Sequence, residues 1–143
     1  MLEPITVDIY CRTSGWPPAD HLNLNEQEAA CRKYCEEHNL TVGVVQYDTT
    51  SGYQYRERWI LEQIRLRYRR GHIQGVVIYS LDRLSRSHVH LTILLQEMAK
   101  YHTILYVVQE RLEETVTGKL LLMLLGFMAE LEQEKSLDKL LAE

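Results

Sequence analysis

The chain alternates between short runs of β-branched and aromatic residues and longer amphipathic stretches, and that alternation leaves few folds open to it. Ile5 to Cys11, Thr41 to Tyr47, Gly75 to Tyr79 and Thr103 to Val108 read as four strands. Between them, helical spacing runs from about Asn25 to His38, Glu57 to Arg70 and His88 to His102, and a last helix begins near Thr117. Asn23 or Asn25 suits the cap of the first helix, and Gly71 the end of the second. A strand that leads through a helix to the next strand calls for a parallel crossover. The expected class is therefore α/β, with a mostly parallel central sheet and helices on both faces in three layers. With 143 residues there is room for one such core and no second full domain.

The last segment is different in kind. Leu120-Leu121-Leu122-Met123-Leu124-Leu125 is apolar on every helical face, whereas Glu130 to Lys135 is mostly charged. About 25 residues at 1.5 Å each would reach nearly 40 Å, more than a small domain can cover, so part of the helix is expected to pack on another subunit. The division expected is an α/β domain over 1–115 and a long oligomerisation helix over 116–143, cut before a further region. The longest apolar stretch, Leu120 to Met128, falls well short of the roughly 20 residues a membrane span needs. No membrane association and a cytoplasmic location are expected.

Charge is unevenly placed. The formal net charge of −4 argues at first against nucleic acid, whose phosphates call for a basic surface. Between Arg56 and Arg86, however, eight arginines face only Glu57, Glu62 and Asp82, a local +5 against −9 elsewhere. Arg65, Arg67, Arg69 and Arg70 read as a solvated helix face or as loose phosphate contacts. Three cysteines, Cys11, Cys31 and Cys35, without paired spacing suggest reduced thiols. Cys31, Cys35 and His38 could share a helical face, but no fourth ligand is near, and no metal is expected.

Chemistry concentrates where strands end. In open parallel sheets ligands sit beyond the carboxyl ends of the strands. Strand one is followed by Arg12-Thr13-Ser14, strand two by Asp48 and Ser51-Gly52, and strand three by Leu81-Asp82-Arg83-Leu84-Ser85-Arg86. Arg12 and Ser14 alternate, so an extended backbone turns both side chains the same way. Arg83 and Arg86, three apart, would share a face if a helix has begun there. A serine hydroxyl beside several guanidiniums suits attack on a phosphodiester, because fixed positive charge stabilises the charge gained in the transition state. The bland alternative for Leu81 to Arg86 is a charged helix start capped by Ser80, Ser85 or Ser87. His88 and His90, near the start of the helix from about His88 to His102, could reach the site but read more readily as surface residues. There is no Gly-rich nucleotide-binding loop and no His-rich metal motif. A metal-dependent nuclease built on Asp48, Asp82 and Glu132 is the weaker reading, since the arginines already supply positive charge.

These residues resemble the catalytic domain of the serine site-specific recombinases, the resolvase, invertase and phage-integrase family. Tyr10-Cys11-Arg12-Thr13-Ser14 is similar to the family's Tyr-x-Arg-x-Ser motif, and Gln27 sits where the family has a glutamine in its first helix. Asp48 with Ser51-Gly52 resembles the Asp-x-x-Ser-Gly segment, Leu81 to Arg86 the Leu-Asp-Arg-Leu-x-Arg signature, and Ala129-Glu130-Leu131-Glu132 the acidic mark on the long helix. The resemblance spans nearly the whole chain and implies a resolvase-like fold. It implies that Ser14 attacks DNA to give a 5′-phosphoserine and a free 3′-hydroxyl, without metal, nucleotide or other cofactor. Arg12, Arg83, Arg86 and Arg58 would grip the scissile phosphate, and Asp82 would position arginines and assist proton transfer. The implied assembly is a DNA-bound homodimer that becomes a tetramer, with sequence-specific DNA binding supplied by a separate region after the helix.

The departures are local. The loop after Ser14 carries Gly15-Trp16-Pro17-Pro18, Arg58 is followed by Trp59 where the family has proline, and Gln133 replaces an arginine. Arg56 competes with Arg58 for the loop position. A catalytically inactive α/β regulatory or interaction domain is the rival reading, which the retained Ser14, Arg12, Arg83 and Arg86 oppose.

Overall fold

Strand-forming and helix-forming segments take up the expected order in the computed structural model, which describes residues 4–13, 23–49, 59–109 and 114–142, the last stretch with only some of its side chains. Strands β1 (Thr6–Arg12), β2 (Thr41–Asp48), β3 (Gly75–Ile78) and β4 (Ile104–Val107) form one sheet in the order β2-β1-β3-β4. Every neighbouring pair among them is parallel. The helices are α1 (Leu24–Glu37), α2 (Trp59–Arg69), the single turn α3 (Leu81–Leu84), α4 (His88–Lys100) and α5 (Val116–Ala142).

Alternation along β1 separates the layers. Val7, Ile9 and Cys11 cluster with Cys31 and Cys35 of α1 and with Val77. Asp8, Tyr10 and Arg12 point to the other face, where Arg67 of α2 meets Asp8, and α2 is tied to α4 through Arg65 and Glu97. One face thus carries α1 and the other α2 and α4. The thiols are core groups: hydrogen bonding with Cys11 and then burial push the Cys31 thiol up, and burial pushes up Cys35. His38 is used differently from the metal idea, stacking on Tyr34 with ring centroids 3.9 Å apart. No group of three His, Cys, Asp or Glu among the described residues could hold a metal ion.

Helix ends follow local chemistry. Asn23 caps α1 by accepting from Glu26 N–H at 2.8 Å, and Ser87 caps α4 by accepting from His90 N–H at 3.2 Å. Helices α1, α2 and α4 all close through a left-handed residue, Asn39 (φ 56°), Gly71 (φ 75°) and His102 (φ 54°). The residue after each donates back to Cys35, Arg67 and Met98 respectively, which ends α1 and α4 just short of the expected histidines.

The β1–β2 register holds a bulge. Val7 pairs with Val42 but Ile9 with Val45, so β2 carries one residue extra opposite Asp8. The buried Asp8 carboxylate fills the gap, accepting from Val44 N–H at 2.8 Å and from Arg67 at 2.5 and 3.1 Å. Gly43 is required by this approach, since a Cβ there would lie 2.8 Å from Asp8 Oδ1.

The chain divides into two compact units, Met1–Gln109 and Glu110–Glu143. In the second, Thr115 Oγ1 accepts from Gly118 N–H at 2.9 Å and opens α5, a helix of 27 residues that spans about 40 Å. No helix among the described residues is long and apolar enough to cross a membrane.

Candidate active site at the carboxyl edge of the sheet

Strand order places the site. From β1 the chain moves to β2 on one side and crosses to β3 on the other, and the crevice at such a reversal, beyond the strand ends, is where open α/β sheets bind ligands. Arg12 is the last residue of β1 and α3 follows β3, so the two flank this crevice. Arg12 is fully buried. Its Nε donates to the Arg83 carbonyl at 2.9 Å and its Nη2 to the Asp82 carbonyl. Arg83 Nη1 donates in return to the Arg12 carbonyl at 3.3 Å.

Neighbouring elements lock the end of β1. Gln27 of α1 bonds the Arg12 backbone twice, accepting from its N–H at 3.2 Å and donating to its carbonyl at 2.9 Å. Thr13 N–H donates to the Asp48 carbonyl at 3.0 Å, and Tyr10 donates its hydroxyl to Asp48 Oδ2 at 2.6 Å. Tyr10, Gln27 and Asp48 are all buried, so three residues named from sequence serve as a frame around Arg12.

The motif after β3 departs from the expected geometry. Helix α3 is one turn long and ends at Leu84, because Ser85 is extended at φ −163° and ψ 151°. Arg83 and Arg86 therefore do not share a helical face. Arg83 is buried on the turn, and Arg86 lies half-buried on the connection to α4. Asp82 is exposed, and its carboxylate accepts from the Ser80 hydroxyl, forming no ion pair with an arginine among the described residues. The ordering of Arg12 expected from that carboxylate comes instead from the Asp82 backbone carbonyl. Ser80 at the cap position bonds Asp82 and not a backbone N–H.

The arginines of α2 are not a loose phosphate surface. Arg65 forms two bonds to Glu97, at 2.9 and 2.7 Å, and pairs with Glu62; Arg69 lies 3.7 Å from Glu97, and Arg67 holds Asp8. The Arg65 guanidinium first, aided by the Tyr68 hydroxyl and against burial, holds the Glu97 carboxyl down at about 2. Most of the local positive charge on α2 is thus spent on helix packing.

Ser14, Ser51, Arg58 and its competitor Arg56 lie outside the described residues, and Glu132 is on α5 with its side chain outside them. Reading from sequence missed His90, expected at the surface. It is buried, with Nδ1 3.1 Å from Ser85 Oγ. The signal available was its place in the apolar series Leu91, Leu94, Leu95 and Met98.

Comparisons with known proteins agree with this geometry. Residues 7–142 match the family model of the resolvase N-terminal domain. Among solved structures, the N-terminal catalytic domain of TP901-1 integrase superposes with a TM-score of 0.73 at 26% identity, covering 92% of this chain and 98% of that one. A resolvase family site-specific recombinase from Streptococcus pneumoniae gives 0.67 at 20% identity, with 96% and 93% covered, and so shares the fold. The C-terminal catalytic domain of ISC1926 TnpA, an IS607-like serine recombinase, gives 0.65 at 20%, with 97% and 100% covered. No curated protein matches the chain in sequence. The chain belongs to the resolvase N-terminal domain family and is the catalytic domain of a site-specific serine recombinase, a DNA-cleaving and rejoining enzyme.

Proposed function

We propose that Ser14 is the nucleophile and that Arg12, Arg83 and Arg86 hold the scissile phosphate beside it. Ser14 Oγ attacks phosphorus, the bond to the 3′ oxygen breaks, and that oxygen leaves as a 3′-hydroxyl while the 5′ phosphate stays on the serine. Asp82, exposed at the same edge, is the carboxylate available for proton transfer. In rejoining, a 3′-hydroxyl attacks the phosphoserine and Ser14 Oγ leaves. One phosphodiester is exchanged for another through a phosphoester, so no metal, nucleotide or other cofactor enters the balance. Arg58, or Arg56, completes the clamp from the segment after Ser51, and Tyr10, Gln27 and Asp48 keep the frame.

The observation that carries this reading is the mutual bonding of Arg12 and Arg83 at the β1–β3 crevice, two residues before Ser14 in the chain. It brings guanidinium groups from two elements to the carboxyl end of β1, the strand that Ser14 follows in sequence, and an electrostatic clamp for a phosphodiester requires such a grouping.

Assembly is read from α5. Leu120, Leu124, Phe127 and Leu131 are exposed along it at spacings of four, three and four residues, the seam of a helix that packs on another. We assign this seam, with Glu132 near its end, to the contact between subunits of a DNA-bound homodimer and of the tetramer that exchanges strands.

The test is covalent trapping. DNA carrying the recombination site is incubated with the protein in EDTA, and the adduct is resolved on a denaturing gel. A Ser14-dependent adduct, absent in Ser14→Ala, is the expected result. Adduct formation that needs a divalent metal would point to a nuclease, and DNA binding without any adduct to an inactive domain.

A further inference from the structure

A buried histidine stands behind the turn that carries the arginines. His90, in the first turn of α4, is 4% exposed, and its Nδ1 lies 3.1 Å from the hydroxyl oxygen of Ser85. Ser85 is fully buried and is the residue at which the chain leaves the helical turn between Arg83 and Arg86. Its backbone N–H still donates to the Leu81 carbonyl at 3.1 Å, while its hydroxyl oxygen accepts from Ser87 N–H at 3.1 Å. Ser87 in turn accepts from His90 N–H at 3.2 Å. Ser85, Ser87 and His90 therefore form a closed ring of hydrogen bonds, and Arg86 lies inside the span it closes.

An imidazole in this place costs desolvation that the neighbouring leucines avoid. Leu91, Leu94 and Leu95 bury the rest of the same helix surface with no polar atom. The cost is offset by the bond to Ser85. Ser85 Oγ accepts from Ser87 N–H and lies within hydrogen-bond distance of His90 Nδ1, a bond in which either the hydroxyl or the ring nitrogen can donate. The bond pins the hydroxyl, the hydroxyl pins Ser87 N–H, and the extended backbone at Ser85 sends Arg83 inward to Arg12 and Arg86 outward.

We propose that His90 is a positioning residue for the two arginines of the phosphate clamp, acting through the Ser85 hydroxyl. This rests on the assignment of Arg83 and Arg86 as phosphate ligands. His90 does not touch the reacting atoms.

The test uses the 15N-labelled chain, with inorganic phosphate as the probe. Three variants are compared with wild type: His90→Leu removes the ring nitrogen, His90→Asn keeps a polar side-chain atom near the position of Nδ1, and Ser85→Ala breaks the ring from the other side. In His90→Leu and Ser85→Ala the Ser87 amide is expected to exchange about tenfold faster, the scale of one lost hydrogen bond. Phosphate affinity, read from the Arg83 and Arg86 Nε–H signals, should fall about tenfold in both and recover to within about threefold of wild type in His90→Asn. Unchanged Ser87 exchange in His90→Leu and Ser85→Ala overturns the ring. Faster exchange with phosphate affinity unchanged makes His90 a core residue only and overturns the positioning role. A wild-type protein whose arginine signals ignore phosphate would instead refute the phosphate-ligand assignment, while the exchange data still judge the ring.

Discussion

Arg12 and Arg83 each hydrogen-bond the other's backbone carbonyl, Arg12 Nε to Arg83 O at 2.9 Å and Arg83 Nη1 to Arg12 O at 3.3 Å. The pair joins the end of β1 to the turn after β3 across 71 residues of sequence. A buried charged donor bonded to two carbonyls, those of Arg83 and Asp82, is a structural support as well as a source of positive charge.

The two roles separate by mutation. Arg12→Ala leaves the Arg83 and Asp82 carbonyls without their charged donor and should destabilise the fold by about 2–4 kcal/mol in urea unfolding. Arg86→Ala, on a half-buried connection, should stay within about 1 kcal/mol of wild type and still lose covalent adduct formation. An Arg12→Ala protein as stable as wild type would show that its bonds to α3 carry no weight.

Gln27 holds the Arg12 backbone from both sides. Its amide accepts and donates to Arg12 N–H and O, so Gln27→Glu, which cannot donate when ionised, should cost more stability than its small change in shape suggests. About 1–3 kcal/mol is expected from urea midpoints, with less loss in acid, where a protonated carboxyl can donate again. Equal loss at both pH values would deny the donor role.

At the bulge, Gly43→Ala places a Cβ 2.8 Å from Asp8 Oδ1 and 3.1 Å from Arg67 Nη2. A displaced pair at a buried carboxylate should cost about 1–3 kcal/mol. Arg67→Ala, which leaves Asp8 with the Val44 amide alone among the described residues, should cost about 3–5 kcal/mol. If both substitutions are neutral in thermal unfolding, the Asp8 cluster is not what holds α2 to the sheet.

Glu97 makes acid sensitivity specific to the α2–α4 contact. Its carboxyl stands at about 2 in the fold against roughly 4.3 when unfolded, so between these values the unfolded chain binds the extra proton. The contribution is complete above about pH 5 and disappears as pH falls toward 2. Glu97→Gln should lower stability at neutral pH and flatten the fall of the urea midpoint between pH 5 and 2. An acid limb as steep as wild type would remove Glu97 from this role.

Legibility depended on how far apart in sequence the partners lie. The cap at Asn23 and the turn at Gly71 were readable because their chemistry is complete within a few residues. The motif at Leu81 to Arg86 was readable as a place but not as a shape. The chain leaves the helix at Ser85, whose hydroxyl meets Ser87 N–H and His90 Nδ1, partners that lie outside the hexapeptide. His90 itself reads as a surface residue by type, although its place in the apolar series Leu91, Leu94, Leu95 and Met98 marks the face that turns inward.

By itself the sequence determined the alternation of strands and helices, the parallel class that such alternation demands, and the strand ends at which the candidate catalytic residues sit. Periodicity is local and the order of elements is linear, so the chain records both. Only the tertiary structure decided what each arginine does. Arg67 meets Asp8 across 59 residues, Arg65 meets Glu97 across 32, and Arg12 meets Arg83 across 71. The sequence counts those charges but cannot assign their partners, because an ion pair or a charge-assisted hydrogen bond forms where packing brings two groups together and removes the water that would otherwise serve each alone.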